Sequence, residues 1–113
     1  MDLSGHFDAD AFEMLKDVME DEFSGLLQVY IEDSDSRMPL IRSALMGQDS
    51  GTLRELAHSF KGASSNIGAM PLAKLCLTLE TAAKDNQLEG LDQVVADIEQ
   101  EYQQVKNFLQ SHI

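Results

Sequence analysis

The sequence predicts an all-α protein, an antiparallel four-helix bundle with a short N-terminal capping helix. Apolar residues recur at helical spacing, every three or four positions, through almost all of the 113 residues. No segment of four or more residues alternates apolar and polar side chains over a β-rich composition, so no strand is predicted. Four long amphipathic segments joined by short loops are typical of antiparallel bundles.

We expect one domain over residues 1–113, because a chain of this length supports a single hydrophobic core. The predicted helices span residues 8–19, which cap the bundle, and 21–46, 52–66, 71–85 and 91–109, which form it. The inward-facing stripes of these helices include Leu27, Ile41, Leu53, Phe60, Leu72, Leu79, Val95 and Ile98.

Local signals place the helix ends. Asp8 is a suitable N-cap, and Phe7 and Phe12 have the spacing of a hydrophobic staple. Either Asp49 or Ser50 caps the third helix. Three further signals follow from proline and glycine. Pro39 should kink the second helix, Pro71 suits the first turn of the fourth, and Gly68 should end the third.

The charge of the chain limits its partners. Twenty acidic and eight basic residues give a formal net charge of −12. Such a chain repels nucleic acid and anionic lipid surfaces, so we expect neither as a partner. Strong self-repulsion also favours a monomer.

The cysteine count and the apolar runs indicate a cytoplasmic protein. Cys76 is the single cysteine, so an internal disulfide is impossible and a reducing compartment fits. No apolar run approaches the length that spans a membrane, and the acidic N-terminus does not resemble a secretory signal.

The third helix carries the most informative pattern. With Leu53 at zero on a helical wheel, the core face lies within about 60° of it, whereas His58 falls near 140° and points outward. By the same geometry Arg54, Lys61 and Ser65 lie on the side of His58, at about 80–120°. The two cations are either ordinary solvated charges or a site that receives an anion.

Gly62 lies near 180° on the same wheel, opposite the core. A glycine inside a helix costs about 0.8–1 kcal/mol relative to alanine. Either a neighbouring helix packs tightly there, or the missing side chain leaves His58 open to a partner, since helical side chains lean toward the preceding turn.

The segment 57–69, AHSFKGASSNIGA, resembles the signature of histidine-containing phosphotransfer (HPt) domains. The stretch 75–80, LCLTLE, is similar to the family segment that follows, and the order of helices agrees. The resemblance covers most of the chain. A first methionine and a last helix suggest a stand-alone HPt protein.

The resemblance implies a phosphorelay intermediate of two-component signalling. His58 would accept a phosphoryl group on Nε2 from the receiver-domain aspartate of a hybrid sensor kinase and pass it to the aspartate of a response regulator. Lys61 would balance the phosphoryl charge, Gly62 would give the partner access, and Arg54 and Ser65 would neighbour the phosphate or the partner. The chain would need no cofactor, because the receiver domain brings Mg²⁺.

Exposed residues of the first two helices, with Arg54 and Lys61, are candidates for receiver docking. Met14, Leu15 and Val18 either belong to that surface or join the capping helix to the bundle. The alternative function is a helical protein-interaction module without phosphotransfer, in which His58 is incidental.

Other chemistries fit the sequence poorly. The three histidines show no i, i+3 or i, i+4 pairing, and a single Glu55-x-x-His58 motif does not make a di-iron centre, so no metal site is predicted. Ser59 lies about 100° from His58 around the helix and cannot form a nucleophile–base pair with it. No G-x-x-x-x-G-K-[ST] loop is present, so autokinase activity is not expected.

Overall fold

The computed structural model describes residues 5–113, and in this range the chain forms five α-helices. They are α1 (Ala9–Met19), α2 (Phe23–Met46), α3 (Ser50–Asn66), α4 (Met70–Lys84) and α5 (Leu91–Gln110). Helices α2 to α5 form the bundle and α1 packs at one end, which confirms the predicted fold class. Residues 1–4 of the predicted domain 1–113 lie outside the described residues.

One continuous core fills the bundle, and side chains from all five helices enter it. Its largest fully buried members are Phe12, Phe60, Leu27, Ile41, Leu53, Ile67, Leu72, Leu79, Ile98, Leu109, Val95 and Val105. Burial of this apolar surface is the main favourable contribution to folding. It also fixes the rotation of each helix, and therefore determines which side chains face outward.

The N-terminus of α1 forms as its sequence predicts. The Asp8 carboxylate accepts a hydrogen bond from the Ala11 amide at 3.2 Å. The Phe7 and Phe12 rings meet edge to face, with centroids 5.2 Å apart, as expected of a hydrophobic staple. In α1, Met14 and Val18 are exposed, whereas Leu15 packs against the core and, with the buried Phe12, joins this helix to the bundle.

Asp49 is the cap of α3, which decides between the two residues that the sequence left open. Its carboxylate accepts hydrogen bonds from the Thr52 amide at 3.1 Å and the Thr52 hydroxyl at 2.7 Å. These bonds hold the pKa of Asp49 below its usual value. The helix therefore begins at Ser50, two residues before the predicted start at residue 52.

Several other helix ends agree with the prediction, and the rest differ from it by one or two residues. The second helix begins at Phe23 rather than residue 21, because Glu20–Glu22 form a 3-10 turn. Helix α4 starts and ends one residue earlier than predicted, and α5 extends one residue further. Helix α2 runs through Pro39, which is exposed.

Contacts between α2 and α3 determine which face of α3 is packed and which face points outward. The Tyr30 hydroxyl and the Ser64 hydroxyl form a buried hydrogen bond of 2.8 Å. Further along α2, Arg37 donates to the Ser59 hydroxyl at 3.1 Å and its guanidinium lies 5.3 Å from the centroid of the Phe60 ring. The pairing runs in opposite directions along the two helices, as in an antiparallel bundle. It holds α3 by one face and leaves the other face outward.

Candidate functional site

His58 lies in the middle of α3 and projects outward, as the helical wheel predicts. Its side chain is 69% exposed. Nδ1 of the ring lies 2.8 Å from Oε2 of Glu80, which comes from the neighbouring helix α4. Among the described residues, Nε2 has no hydrogen-bonding partner, so this nitrogen is the one presented to solvent.

Glu80 is the least exposed side chain of this site, at 15%. Its second oxygen, Oε1, lies 2.7 Å from Nζ of Lys61. The two groups form an ion pair, and Oε1 has no other partner among the described residues. The Lys61 ammonium and, to a lesser extent, the His58 ring hold the pKa of Glu80 below its usual value. The carboxylate is therefore ionised near neutral pH.

Lys61 thus has a carboxylate partner that the sequence pattern did not reveal. The ammonium is half-buried beside α4, while Arg54, one turn before His58, is exposed. Arg54 lines an open groove of about 470 Å³ together with Gly51, Glu55, His58 and Glu80. The predicted positive island around His58 is therefore a mixed site, because α4 and α3 each add a carboxylate to it.

Gly62 faces open space on the outer surface of α3. A Cβ atom built at this position would meet no atom within 4 Å. Of the two readings that the sequence left open, tight packing against a neighbouring helix is wrong. At Gly62 the helix surface beside His58 is open and carries no side chain.

The structure does not bring Ser65 to the imidazole. Ser65 is exposed on α3, but it lies seven positions after His58, or about 10 Å along the axis. Ser64, on the inner face, is buried and bonded to Tyr30.

Glu80 is the residue of this site that the sequence did not assign. It was present as the last residue of the stretch 75–80, but periodicity shows only that it lies off the apolar stripe of α4. Its partners are 22 and 19 residues away along the chain, so their meeting depends on how α3 and α4 pack.

Two further properties concern residues 5–113 as a whole. No group of three or more histidine, cysteine, aspartate or glutamate side chains in this range is arranged to hold a metal ion. None of the helices described there combines the length and the apolar composition needed to cross a membrane.

Comparison with known proteins decides the family. The family model of the Hpt domain matches residues 25–108, which include every residue of the site. This chain belongs to the Hpt domain family. It has the role of that family, histidine phosphotransfer in the phosphorelays of two-component signalling.

Similar proteins come from bacteria and plants. The crystal structure of histidine-containing phosphotransfer protein B from Pseudomonas aeruginosa PAO1 is 36% identical to this Hpt chain, with a TM-score of 0.93 over 96% of this chain and 95% of that one. Histidine-containing phosphotransfer protein MtHPt2 from Medicago truncatula is 26% identical, with a TM-score of 0.81 over 95% and 76% of the two chains.

A curated relative has a longer chain. Histidine-containing phosphotransfer protein 1 from Arabidopsis thaliana is 26% identical over 102 residues. These residues are 88% of this Hpt chain and 66% of the plant protein. Hpt proteins are phosphocarrier intermediates that work in phosphorelays with receiver domains.

Proposed function

We propose that His58 is the residue that carries the phosphoryl group, and that it does so on Nε2. The observation that supports this most directly is the orientation of the ring. A mostly buried carboxylate occupies the Nδ1 side at 2.8 Å, while Nε2 faces solvent from the middle of a rigid helix. A fixed helical position aligns a nucleophile better than a loop does.

The transfer is a substitution at phosphorus. The lone pair on Nε2 forms the N–P bond, and the P–O bond to the receiver aspartate breaks, so that the aspartate leaves as a carboxylate with the bonding electron pair. The ring keeps its proton on Nδ1 and becomes formally cationic. In the second half of the relay, an aspartate oxygen of the next receiver attacks phosphorus and Nε2 takes back its electron pair.

The protein needs to supply little beyond this nucleophile. Phosphoryl transfer depends chiefly on alignment and on stabilising negative charge. Lys61 and Arg54 lie within one turn of His58 and contribute that charge from this chain. The receiver partner would supply Mg²⁺ and the acidic residues that hold it. The chain would accept phosphate from a receiver and would have no autokinase activity.

Receiver docking would use the outer face of α3 and the helices on either side of it. Leu40 lies on α2, one turn from Arg37, and Leu77 lies on α4, one turn from Glu80. Both side chains are about half exposed. Gly62 leaves the surface open beside the imidazole. Apolar side chains around a polar centre suit a transient protein interface.

We further propose that the protein acts as a monomer in the cytoplasm. The net charge of −12 opposes self-association, and the single cysteine fits a reducing compartment. Sedimentation equilibrium at micromolar concentration should give the mass of one chain, and a dimeric mass would contradict this part of the proposal.

Incubation with a phosphorylated receiver domain tests the function. The wild-type protein should gain phosphate that is labile in acid and stable in base, and His58→Gln should gain none. Equal labelling of both proteins would refute the assignment of His58. A wild type that binds the receiver but is not labelled would instead be an interaction module.

A further inference from the structure

Arg37 is a half-buried cation without a carboxylate partner. Of the eight lysine and arginine side chains, four are half-buried and the others are exposed. Three of the half-buried cations, Arg42, Lys61 and Lys106, lie 2.6 to 3.0 Å from a carboxylate oxygen. Arg37 is the fourth, and it forms no ion pair within residues 5–113. This exception needs a reason, because the chain has twenty acidic side chains for eight basic ones.

The guanidinium of Arg37 is nevertheless held in place. Nη2 donates to the Ser59 hydroxyl at 3.1 Å, and the guanidinium carbon lies 5.3 Å from the centroid of the Phe60 ring, within the range of a cation–π contact. Nη1 is buried and has no hydrogen-bond partner among the described residues. Burial of an unpaired charged group costs free energy, so an apolar side chain would join α2 and α3 at lower cost. The stability of the fold therefore does not explain an arginine at this position.

Arg37 places a fixed positive charge beside His58, on the opposite flank from Lys61. Lys61 is on the side of α3 that packs against α4. Ser59, which follows His58, is on the side that faces α2, where Arg37 binds it. One turn further along α2, Leu40 is about half exposed and lines a groove of about 390 Å³ between α2 and α3. A partner that reaches His58 from this side meets a cation and an apolar surface together.

We propose that Arg37 is a docking residue that anchors the receiver partner by binding one of its carboxylate side chains. This inference rests on the proposed function, because it takes a receiver domain as the partner. Nη2 carries two N–H groups, and the surface bond to Ser59 uses one of them, which leaves the other for the partner. A charge-assisted hydrogen bond is stronger than a neutral one, and a guanidinium that is already held in place loses little conformational entropy on binding.

The geometry favours a carboxylate of the partner over the phosphoryl group on His58. The imidazole is bonded to Glu80, so the ring leans toward α4 and away from α2. Arg37 is bonded instead to Ser59, which lies about 100° from His58 around the helix. The guanidinium is therefore positioned to meet the surface of the partner beside the reacting group.

Arg42→Met is the matched control for Arg37→Met. Arg42 is half-buried on the same helix, but it pairs with Asp92 and Glu99 of α5. Both variants remove one positive charge, so their long-range electrostatic effects on an approaching partner are alike. Arg37→Met should unfold at or above the wild-type temperature, because it removes an unpaired charge and keeps an apolar stem between the helices. A lower Tm with unchanged receiver binding would make Arg37 a structural link and overturn the proposal.

Receiver binding is measured in the His58→Gln background, where no phosphoryl group moves. The probe is a fluorescently labelled receiver domain that binds the parent protein, followed by anisotropy. Arg37→Met should raise the Kd about tenfold or more and weaken its dependence on salt, whereas Arg42→Met should change neither. Arg37→Gln retains a donor for Ser59 but no charge, and should weaken binding as Arg37→Met does. Equal Kd values for the parent and both Arg37 variants would overturn the proposal.

Single-turnover transfer from the phosphorylated receiver to His58 separates docking from chemistry. In Arg37→Met, the rate at saturating receiver should match that of the wild type, while the half-saturating concentration should rise about tenfold or more. A slower saturating rate with unchanged half-saturation would assign Arg37 to the phosphoryl group and overturn the proposal. A wild type that binds the receiver but gains no label would refute the proposed phosphotransfer, and the Kd comparison would still decide the role of Arg37.

Discussion

Replacement of Gly62 should stabilise this protein while it impairs phosphotransfer. Gly62 is the thirteenth residue of the 17-residue helix α3, is exposed, and has open space where a Cβ atom would be. Alanine in a helix interior is about 0.8–1 kcal/mol more favourable than glycine. Since no neighbouring atom has to move, Gly62→Ala should show most of that gain.

The corresponding change in Tm follows from the size of the chain. Unfolding entropy is about 2.1 cal/mol/K per residue near 60 °C, which gives about 0.24 kcal/mol/K for a protein of this length. A gain of 0.8–1 kcal/mol therefore raises the Tm by about 3–4 °C. Thermal unfolding followed by circular dichroism at 222 nm resolves a shift of this size.

The functional half of the prediction uses a larger side chain. A leucine at 62 would lean toward the turn that holds His58 and would stand between Nε2 and an approaching receiver. Gly62→Leu should therefore unfold at or above the wild-type temperature and accept phosphate at least tenfold more slowly. The rate is measured by the acid-labile label that appears after mixing with a phosphorylated receiver domain.

Gly25 provides the matched control. It is also exposed on a helix with open space at Cβ. It precedes Arg37, the α2 residue that contacts Ser59 beside the imidazole, by twelve residues, or about 18 Å along the axis. Gly25→Leu should leave the transfer rate unchanged. Normal transfer in Gly62→Leu would refute the reasoning about access. A fall in Tm for Gly62→Ala would refute the inference that alanine fits this helix position without strain.

Three further substitutions probe the scaffold. Gly68→Ala should lower stability by about 1–2 kcal/mol, the opposite sign to Gly62→Ala, because Gly68 has φ +83° and its Cβ would lie 3.2 Å from the Asp8 carbonyl oxygen; an unchanged urea midpoint would contradict this. Tyr30→Phe should cost about 1–2 kcal/mol in urea unfolding, since it leaves the buried Ser64 hydroxyl unpaired; a neutral effect would show that Ser64 finds another partner. Asp49→Ala should lower the Tm at neutral pH while Asp49→Asn retains the cap. Because the folded pKa of Asp49 lies below its usual 3.8, its stabilisation is complete above that value and is lost as the pH falls through the folded pKa; a gap between wild type and Asp49→Ala that persisted at still lower pH would refute the charge contribution.

Much of the fold could be predicted because helices leave local signals in the sequence. Apolar spacing gave the number of helices and their inward faces, and Asp8 and Gly68 marked two of their ends. Most of the helix ends that differ from the prediction lie where the sequence carries no specific capping signal. Glu20–Glu22 are acidic and polar, and nothing in their pattern distinguishes a 3-10 turn from the first turn of an α-helix.

The sequence predicted only those features of the site that lie within the single helix α3. The outward direction of His58, its position beside Arg54 and Lys61, and the placement of Gly62 opposite the core follow from 100° of rotation per residue. The same wheel placed Ser65 on the side of His58 but ignored the distance along the axis. That distance, about 10 Å, separates the two side chains.

By itself, the sequence determined the bundle, the exposed histidine and, through its motif, the resemblance to phosphotransfer domains. Tertiary structure alone placed Glu80 against both His58 and Lys61, and turned an expected positive island into a site with a shared carboxylate. The physical reason is the range of the information. Helical periodicity acts over a few residues, whereas the contact of a carboxylate with a ring 22 residues away depends on how two whole helices pack.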